Sequence, residues 1–229
     1  MSDNIGGYLA KRAYLSPDLE AVVDYETKRR FSYSQLNERA NKLAHAALAA
    51  GINKGDRVAL LLMNGVEFME CFFGLAKIGA VAVPLNWRLV ADELEYILID
   101  AGASVLVYSH DFGGTVAAIQ SRDGTAVDKW IEVGDGTERQ AFAHNYEAVV
   151  EGAATTEPAI ATSSDDLVFI MYTSGTTGHP KGVMHTHHTM SWALITLLPT
   201  IDFHYGDRYS IVLPLFHIGA LTPALACAY

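Results

Sequence analysis

The apolar positions of this chain recur at two spacings, one typical of helices and the other of buried strands. Residues 36–47 carry Leu and Ala on one face of a helix, because helical neighbours recur every three to four positions. Ser32 and Gln35 have the capping-box spacing that begins such a helix, and Gly51 is a typical signal for its end. Residues 57–62 then form a short apolar run of the kind found in buried strands.

The same alternation continues for the next hundred residues. Asn64 and Glu67 repeat the capping-box spacing and predict a helix that ends at Gly79. Further segments are predicted as strands at 81–85, 105–108 and 166–172, as a helix at about 91–101, and as a surface loop at about 151–165. Strands that alternate with helices predict an α/β fold, with a mainly parallel sheet and helices on both faces.

Composition and charge narrow the classes of protein that fit. Of 229 residues, 50% are hydrophobic and 18% are charged, which excludes a disordered chain. The formal net charge of −10 argues against broad nucleic-acid binding, which needs clustered Lys and Arg. Cys71 and Cys227 are far apart and suit a reducing compartment. Without a signal-peptide pattern or a convincing transmembrane segment, the chain is predicted to be cytoplasmic.

One eleven-residue stretch, residues 172–182, concentrates the chemistry: Tyr-Thr-Ser-Gly-Thr-Thr-Gly-His-Pro-Lys-Gly. Its glycines let the backbone approach a ligand and adopt positive φ, so that N–H groups can point at phosphate oxygens. The hydroxyls add donors or an oxygen ligand for Mg²⁺, and Lys181 adds a positive charge. The stretch predicts a phosphate-binding loop, against the plainer interpretation of an ordinary flexible loop. Its spacing matches no Walker A motif.

Everything between Tyr172 and Thr186 is predicted as turn, followed by a helix that the Thr186 hydroxyl caps. His185, His187 and His188 lie where that turn enters the helix. They are predicted to be a solvated helix start and not a metal site, because the three rings are not expected to converge and no Cys or carboxylate lies nearby. Phe68, Met69, Phe72 and Phe73 are predicted to be core residues.

Residues 172–182 resemble the signature phosphate loop of the adenylate-forming enzymes, which include acyl-CoA synthetases, luciferases and peptide-synthetase adenylation domains. Three more stretches resemble that family in the same order: residues 31–36, 83–89 and 213–220, the last of which borders the acyl pocket in the family. The resemblance covers nearly the whole chain. It implies that residues 1–229 are the N-terminal part of the large AMP-binding domain, truncated and without the C-terminal domain.

The resemblance also implies a two-step reaction, in which ATP activates a carboxylic acid to an acyl-adenylate and coenzyme A then takes the acyl group. By resemblance, Thr173 contacts Mg²⁺ or phosphate, and Lys181 neutralises charge nearby as a catalytic residue. The residues implied to wrap the β- and γ-phosphates are Ser174, Gly175, Thr176, Thr177 and Gly178. ATP, Mg²⁺ and coenzyme A are therefore the expected cofactors and co-substrates.

His217 is the residue that indicates which class of carboxylic acid is the substrate. In amino-acid-activating relatives the matching residue is an aspartate that pairs with the substrate ammonium group, and here a histidine stands between Phe216 and Ile218. The resemblance therefore implies a fatty or aryl acid, with His217 in the acyl pocket; the alternative is a packed histidine bonded to backbone. Trp87 and Arg88 could serve acyl or coenzyme binding, but burial of Trp87 beside the sheet is the safer interpretation.

Several parts of the family pattern have no counterpart in these residues, among them the adenine- and ribose-binding segments and the lysine of the C-terminal domain. The expectation is that the isolated chain holds an incomplete site and is inactive, and that a full-length enzyme could form a homodimer. The alternative function is a non-catalytic nucleotide- or partner-binding module that keeps the phosphate loop.

Overall fold

A computed structural model of the chain describes residues 4–159, 162–173 and 178–229. Within these residues, two short strands, β1 (Glu20–Val23) and β2 (Arg30–Ser32), pair in an antiparallel ribbon. Seven others form one large sheet: β3 (Arg57–Leu61), β4 (Val81–Pro84), β5 (Val105–Ser109), β6 (Lys129–Val133), β7 (His144–Asn145), β8 (Leu167–Thr173) and β9 (Lys181–Thr186).

The large sheet has the strand order β7-β6-β5-β3-β4-β8-β9. Every neighbouring pair is parallel except β8 and β9, which run antiparallel at one edge. The predicted α/β fold with a mainly parallel sheet is therefore confirmed. The prediction that everything between Tyr172 and Thr186 is turn is wrong. Residues 181–186 form β9 because β8 offers an unpaired edge to which their extended backbone can hydrogen-bond.

Helices cover both faces of this sheet. Along β3, Val58 and Leu60 point into one apolar layer while Ala59 and Leu61 point into the other, the two-residue period of a strand buried on both faces. The first layer contains α1 (Ile5–Leu15), α2 (Tyr33–Ala49), α3 (Val66–Ile78), α6 (Tyr146–Val150), α7 (His187–Thr200) and α8 (Ile218–Ala226). The second contains α4 (Ala91–Ala101) and α5 (Gly113–Gln120).

Local capping signals correctly predicted the ends of several helices. Ser32 and Gln35 make both hydrogen bonds of the predicted capping box at the start of α2. Gly79 ends α3 with φ of 72°, and the Thr186 hydroxyl accepts from the Thr189 amide at the start of α7. The predicted core residues of α3, Phe68, Met69, Phe72 and Phe73, are all buried.

The capping role predicted for Asn64 is wrong. Gly65 occupies the cap position of α3 and supplies no side chain. The Asn64 carboxamide instead hydrogen-bonds to Leu213 and Leu215, about 150 positions along the chain. A local pattern cannot reveal such a competitor for the same side chain.

The stretch that precedes β8 is tied to the helices by a buried lysine. The Lys77 ammonium group donates to Asn37 Oδ1 at 2.6 Å, to Asn41 Oδ1 at 2.7 Å and to Glu157 Oε2 at 2.6 Å. Asn41 also donates to the Thr155 carbonyl oxygen at 2.7 Å. Residues 151–159 and 162–166 contain no helix or strand, and these bonds hold part of that stretch against α2 and α3. Across the described ranges, no helix combines the length and apolar character needed to cross a bilayer.

Candidate functional site

The predicted phosphate loop lies where β8 ends and the chain returns to β9. Of its predicted phosphate-binding residues, Ser174, Gly175, Thr176 and Thr177 lie outside the described residues. Thr173 is the last residue of β8, and Gly178 stands on the returning side with φ of 103°. That value falls in a region that L side chains rarely adopt, so the position requires glycine.

Thr173 and Lys181 are directly opposite each other in the β8–β9 pair, and both are exposed. Directly opposed residues of an antiparallel pair project to the same face of the sheet. Phe169 and Met171 of β8 pack in the layer of α7 and α8, so strand alternation directs Thr173 and Lys181 to that face. The pairing places a hydroxyl-bearing and an ammonium-bearing side chain on one face at the base of the loop, which is a suitable combination for a phosphate oxygen.

The opposite face of the hairpin contacts α4. Tyr172 is paired with Gly182, and its hydroxyl donates to Asp100 Oδ2 at 2.6 Å. Burial, together with this hydrogen bond to a carboxylate, raises the pKa of Tyr172 above its ordinary value, so the phenol stays a donor at neutral pH. A Cβ at position 182 would lie 2.8 Å from Ile170 Cγ2 and 3.1 Å from Tyr172 Cζ. Glycine there leaves room for the tyrosine ring.

A second contact with α4 lies on the returning side. The His179 ring stacks on Tyr96 with a centroid distance of 4.8 Å and an interplanar angle of 25°. Tyr96 and Asp100 therefore hold the hairpin from one helix, and sequence analysis identified neither. Only the spacing of the two residues by four positions, which places them on one helical face, hints at a shared role.

A crevice is expected where the sheet topology changes direction. The chain leaves β3 toward α3 on one face of the sheet and leaves the neighbouring β4 toward α4 on the other. In open α/β sheets, ligands bind outside the carboxyl ends of the strands at such a switch point. Asn64 follows β3, and Trp87 follows β4, so both lie at this edge.

Asn64 fixes the segment predicted to border the acyl pocket. Its amide group donates to the Leu213 carbonyl oxygen at 2.9 Å, and its carbonyl oxygen accepts from the Leu215 amide at 2.8 Å. Phe216 is buried beside the segment, and its ring packs edge-on to Trp87 at 5.9 Å. His217 follows at the cap position of α8, exposed, with its ring 4.5 Å from Phe216.

Trp87 is half-buried in an aromatic group at the same edge. It stacks on Phe112 at 6.5 Å, and the Arg88 guanidinium lies 4.4 Å from the Trp87 ring centroid and 5.9 Å from that of Phe216. Such cation–π contacts add modest stability at exposed positions. The group presents both apolar surface and one positive charge at this edge of the sheet.

The three clustered histidines face different neighbours. His185 stacks on Phe169 at 4.4 Å, and burial lowers the pKa of His185. His187 is fully buried and its Nδ1 accepts from the Ile5 amide, whereas exposed His188 packs against a tryptophan one turn along α7. The prediction of a solvated helix start is therefore wrong for His185, which lies in β9, and for His187, whose ring is drawn into the core by its contact with α1. In the part of the chain that the structure describes, no group of three or more His, Cys, Asp or Glu could hold a metal ion.

Comparison with known proteins gives consistent matches. The family model described as AMP-binding enzyme matches residues 9–229. The long-chain-fatty-acid–CoA ligase FadD13 of Mycobacterium tuberculosis is 46% identical, over 98% of this chain and 43% of its own length. A feruloyl-CoA synthase of Amycolatopsis sp is 35% identical, over 96% of this chain and 41% of its own length.

Among solved structures, the inhibitor-bound N-terminal domain of FACL13 from Mycobacterium tuberculosis superimposes with a TM-score of 0.91 at 44% identity. That match covers 100% of this chain and 55% of the solved one. The chain thus spans less than half the length of the two curated relatives that it matches.

Proposed function

We propose, given that this chain belongs to the family of AMP-binding enzymes, that it carries the phosphate-binding part of an ATP-dependent acyl-CoA ligase. The match over residues 9–229 and the ligase relatives confirm the adenylate-forming resemblance seen in residues 172–182. The fold is that of an acyl-CoA ligase N-terminal domain. The residue roles, the acid and the thiol acceptor are parts of the proposal.

The proposed reaction has two steps. A carboxylate oxygen attacks the α-phosphorus of ATP; the bond from that phosphorus to the bridging oxygen breaks, and pyrophosphate leaves. The thiolate of coenzyme A then attacks the acyl carbon, and AMP leaves. Negative charge accumulates on the leaving pyrophosphate in the first step, so donors fixed in advance around it lower the barrier.

The observation that carries this proposal is the opposition of Thr173 and Lys181 at the two ends of the loop. Lys181 would neutralise charge on the departing phosphates, and Thr173 would donate to a phosphate oxygen. The N–H groups of Ser174, Gly175, Thr176, Thr177 and Gly178 would complete the cradle. Mg²⁺, when bound, would neutralise further phosphate charge, with the Thr173 hydroxyl as its ligand from this chain.

The proposed acid substrate is a fatty or aryl acid. Within residues 213–220, the segment predicted to border the acyl pocket, exposed His217 contacts buried Phe216, whose ring packs on half-buried Trp87. This surrounding favours an apolar acyl group over an amino acid, whose buried ammonium would need a paired carboxylate. His217 is proposed to line that pocket, and the relatives whose names specify a long-chain fatty acid and a feruloyl group are consistent with such an acid.

The proposal extends to the cellular location and the oligomeric state of the enzyme. A cytoplasmic location fits a consumer of ATP and coenzyme A, and Cys71 and Cys227 are both free thiols. Homodimer formation by the natural-length enzyme stays a prediction from the resemblance.

Carboxylate-dependent exchange of labelled pyrophosphate into ATP tests the function, with the protein expressed at its natural length. A panel of medium-chain fatty, long-chain fatty and aryl acids is expected to include at least one that supports exchange. Lys181→Ala should lower that exchange at least tenfold, while Lys11→Ala, which removes an exposed lysine from α1, should leave it unchanged. Binding of MgATP without exchange for any acid would favour the non-catalytic module instead.

A further inference from the structure

Two residues of α4 contact the two sides of the β8–β9 hairpin. Asp100 accepts the hydrogen bond of Tyr172, the penultimate residue of β8, and Tyr96 stacks on His179, which lies two positions before the first residue of β9. Because Tyr96 and Asp100 are four positions apart, they lie one above the other on a single helical face. One rigid surface therefore contacts both the outgoing and the returning chain.

The helix that provides this surface is itself firmly placed. Leu94, Ile97 and Leu98 are at most 1% exposed and pack into the second apolar layer. Near its beginning, Asp92 and Glu95 both pair with Arg122 of the segment that follows α5. Because α4 is packed firmly on the core, it can fix the position of the β8–β9 hairpin that contacts it.

We infer that Tyr96 and Asp100 are positioning residues for the hairpin, and that they fix the angle at which Thr173 and Lys181 meet a triphosphate. This role rests on the proposed function. Both contacts lie on the α4 side of the hairpin, whereas Thr173 and Lys181 project to the opposite face. Neither Tyr96 nor Asp100 touches substrate in this arrangement, and each acts through the hairpin.

Gly182 makes this docking possible. The space that its missing Cβ leaves is occupied by the Tyr172 ring, whose hydroxyl thereby reaches Asp100. The Gly182→Ala change would put a methyl group 3.1 Å from Tyr172 Cζ and 2.8 Å from a methyl of Ile170. One feature of the loop motif is thus explained by contact with the protein rather than with a ligand.

The decisive variant is the double change Tyr96→Ala and Asp100→Ala in the natural-length protein. Because it removes the docking contacts and no phosphate ligand, the KM for ATP should rise about fivefold to tenfold. The KM for the acid should stay within about twofold of the wild-type value. Tyr96→Phe keeps the stacked ring and Asp100→Asn keeps an oxygen acceptor, so each should restore a nearly wild-type KM for ATP.

Hydrogen exchange gives a readout that needs no turnover. Amides of residues 181–186, which pair with β8, should exchange faster in the double variant than in the wild type. The matched control is Asp92→Ala, which removes one exposed carboxylate from α4 but leaves Arg122 paired with Glu95, so the helix stays anchored and the hairpin is untouched. It should change neither the exchange rates nor the KM for ATP.

The outcomes separate the two proposals. If the wild type supports ATP–pyrophosphate exchange and the double variant keeps its KM for ATP and its amide protection, the positioning role is wrong. It is also wrong if both KM values rise together with a lower unfolding midpoint, because that pattern reflects general destabilisation. If the wild type exchanges pyrophosphate into ATP with none of the acids in the panel, the proposed function is wrong, and the positioning role is wrong with it.

Discussion

Thr173 and Lys181 face each other across the strands that flank the predicted phosphate loop. Eight positions separate them in the sequence, yet the antiparallel register directs both side chains to one face of the sheet. The other face of the same hairpin is docked on α4. At its loop end, the hairpin therefore exposes Thr173 and Lys181 on one face, while α4 holds the other face.

Gly178 provides the first prediction. Its φ of 103° lies in a region costly for L side chains, although a Cβ there would meet nothing within 4 Å. Gly178→Ala should therefore weaken MgATP binding through backbone strain of about 1–2 kcal/mol. Isothermal titration with MgATP measures this effect. Gly7→Ala in α1 is the control, since it also meets open space but has ordinary helical backbone and should leave binding unchanged.

The second prediction concerns Asn64. Asn64→Ala removes both hydrogen bonds to the 213–215 segment, and we expect a loss of about 1–2 kcal/mol in the free energy of unfolding. Since that segment leads into His217, the KM for the acid should rise more than the KM for ATP. Urea unfolding and steady-state kinetics measure the two effects. Asn64→Asp keeps the acceptor for the Leu215 amide and should lie between alanine and wild type; equal KM changes for both substrates would contradict the assigned position.

The third prediction concerns the pH dependence of stability and rests on the pair formed by His110 and Glu132. A hydrogen bond from the imidazole to the carboxylate, 2.9 Å long, raises the pKa of His110. Burial would raise the pKa of Glu132, but hydrogen bonds from His110 and Tyr108 outweigh burial and lower it. The stabilisation from His110 is complete below its unfolded pKa of about 6.5 and is lost as pH rises through the raised folded value.

The stabilisation from Glu132 depends on pH in the opposite direction. Its stabilisation is complete above its unfolded pKa of about 4.3 and is lost as pH falls through the lowered folded value. Urea midpoints measured from pH 5 to 9 should therefore decline above about pH 6.5 in the wild type. His110→Gln should decline less over the same range. Parallel curves for the two proteins would show that the pair makes no pH-dependent contribution.

The fourth prediction concerns Lys77. It is only 4% exposed and gives its ammonium hydrogens to two asparagines and to half-exposed Glu157. Lys77→Met keeps the length of the side chain but leaves these oxygens without their donor, so we expect a loss of about 1–3 kcal/mol in urea unfolding. Lys11→Met, at an exposed position of α1, should change stability by less than about 0.5 kcal/mol.

Sequence analysis predicted what is determined locally. The capping box of Ser32 and Gln35, the left-handed Gly79 and the alternation of β3 are consequences of neighbours within a few positions. The same kind of pattern suggested a cap for Asn64, and there it failed because the partners of that side chain lie about 150 positions away. A local signal is reliable only where no distant group competes for the same atoms.

The candidate site shows the same division. Thr173, Gly178 and Lys181 were identified because their residue types have phosphate chemistry of their own. Tyr96 and Asp100 were missed because a tyrosine and an aspartate on an ordinary helix carry no motif. Their partners lie 83 and 72 positions further on and are brought close only by the sheet. The strand β9 was missed because it begins at Lys181 and Gly182, which end the glycine-rich motif, and glycine favours turns over strands.

Titration of the wild type and Lys181→Ala with MgATP and with AMP tests the central claim most directly. If the hairpin grips the triphosphate, MgATP should bind the wild type more tightly than AMP does, and Lys181→Ala should weaken MgATP binding at least tenfold while leaving AMP binding unchanged. Equal affinities of the wild type for MgATP and AMP, both unaffected by Lys181→Ala, would contradict it.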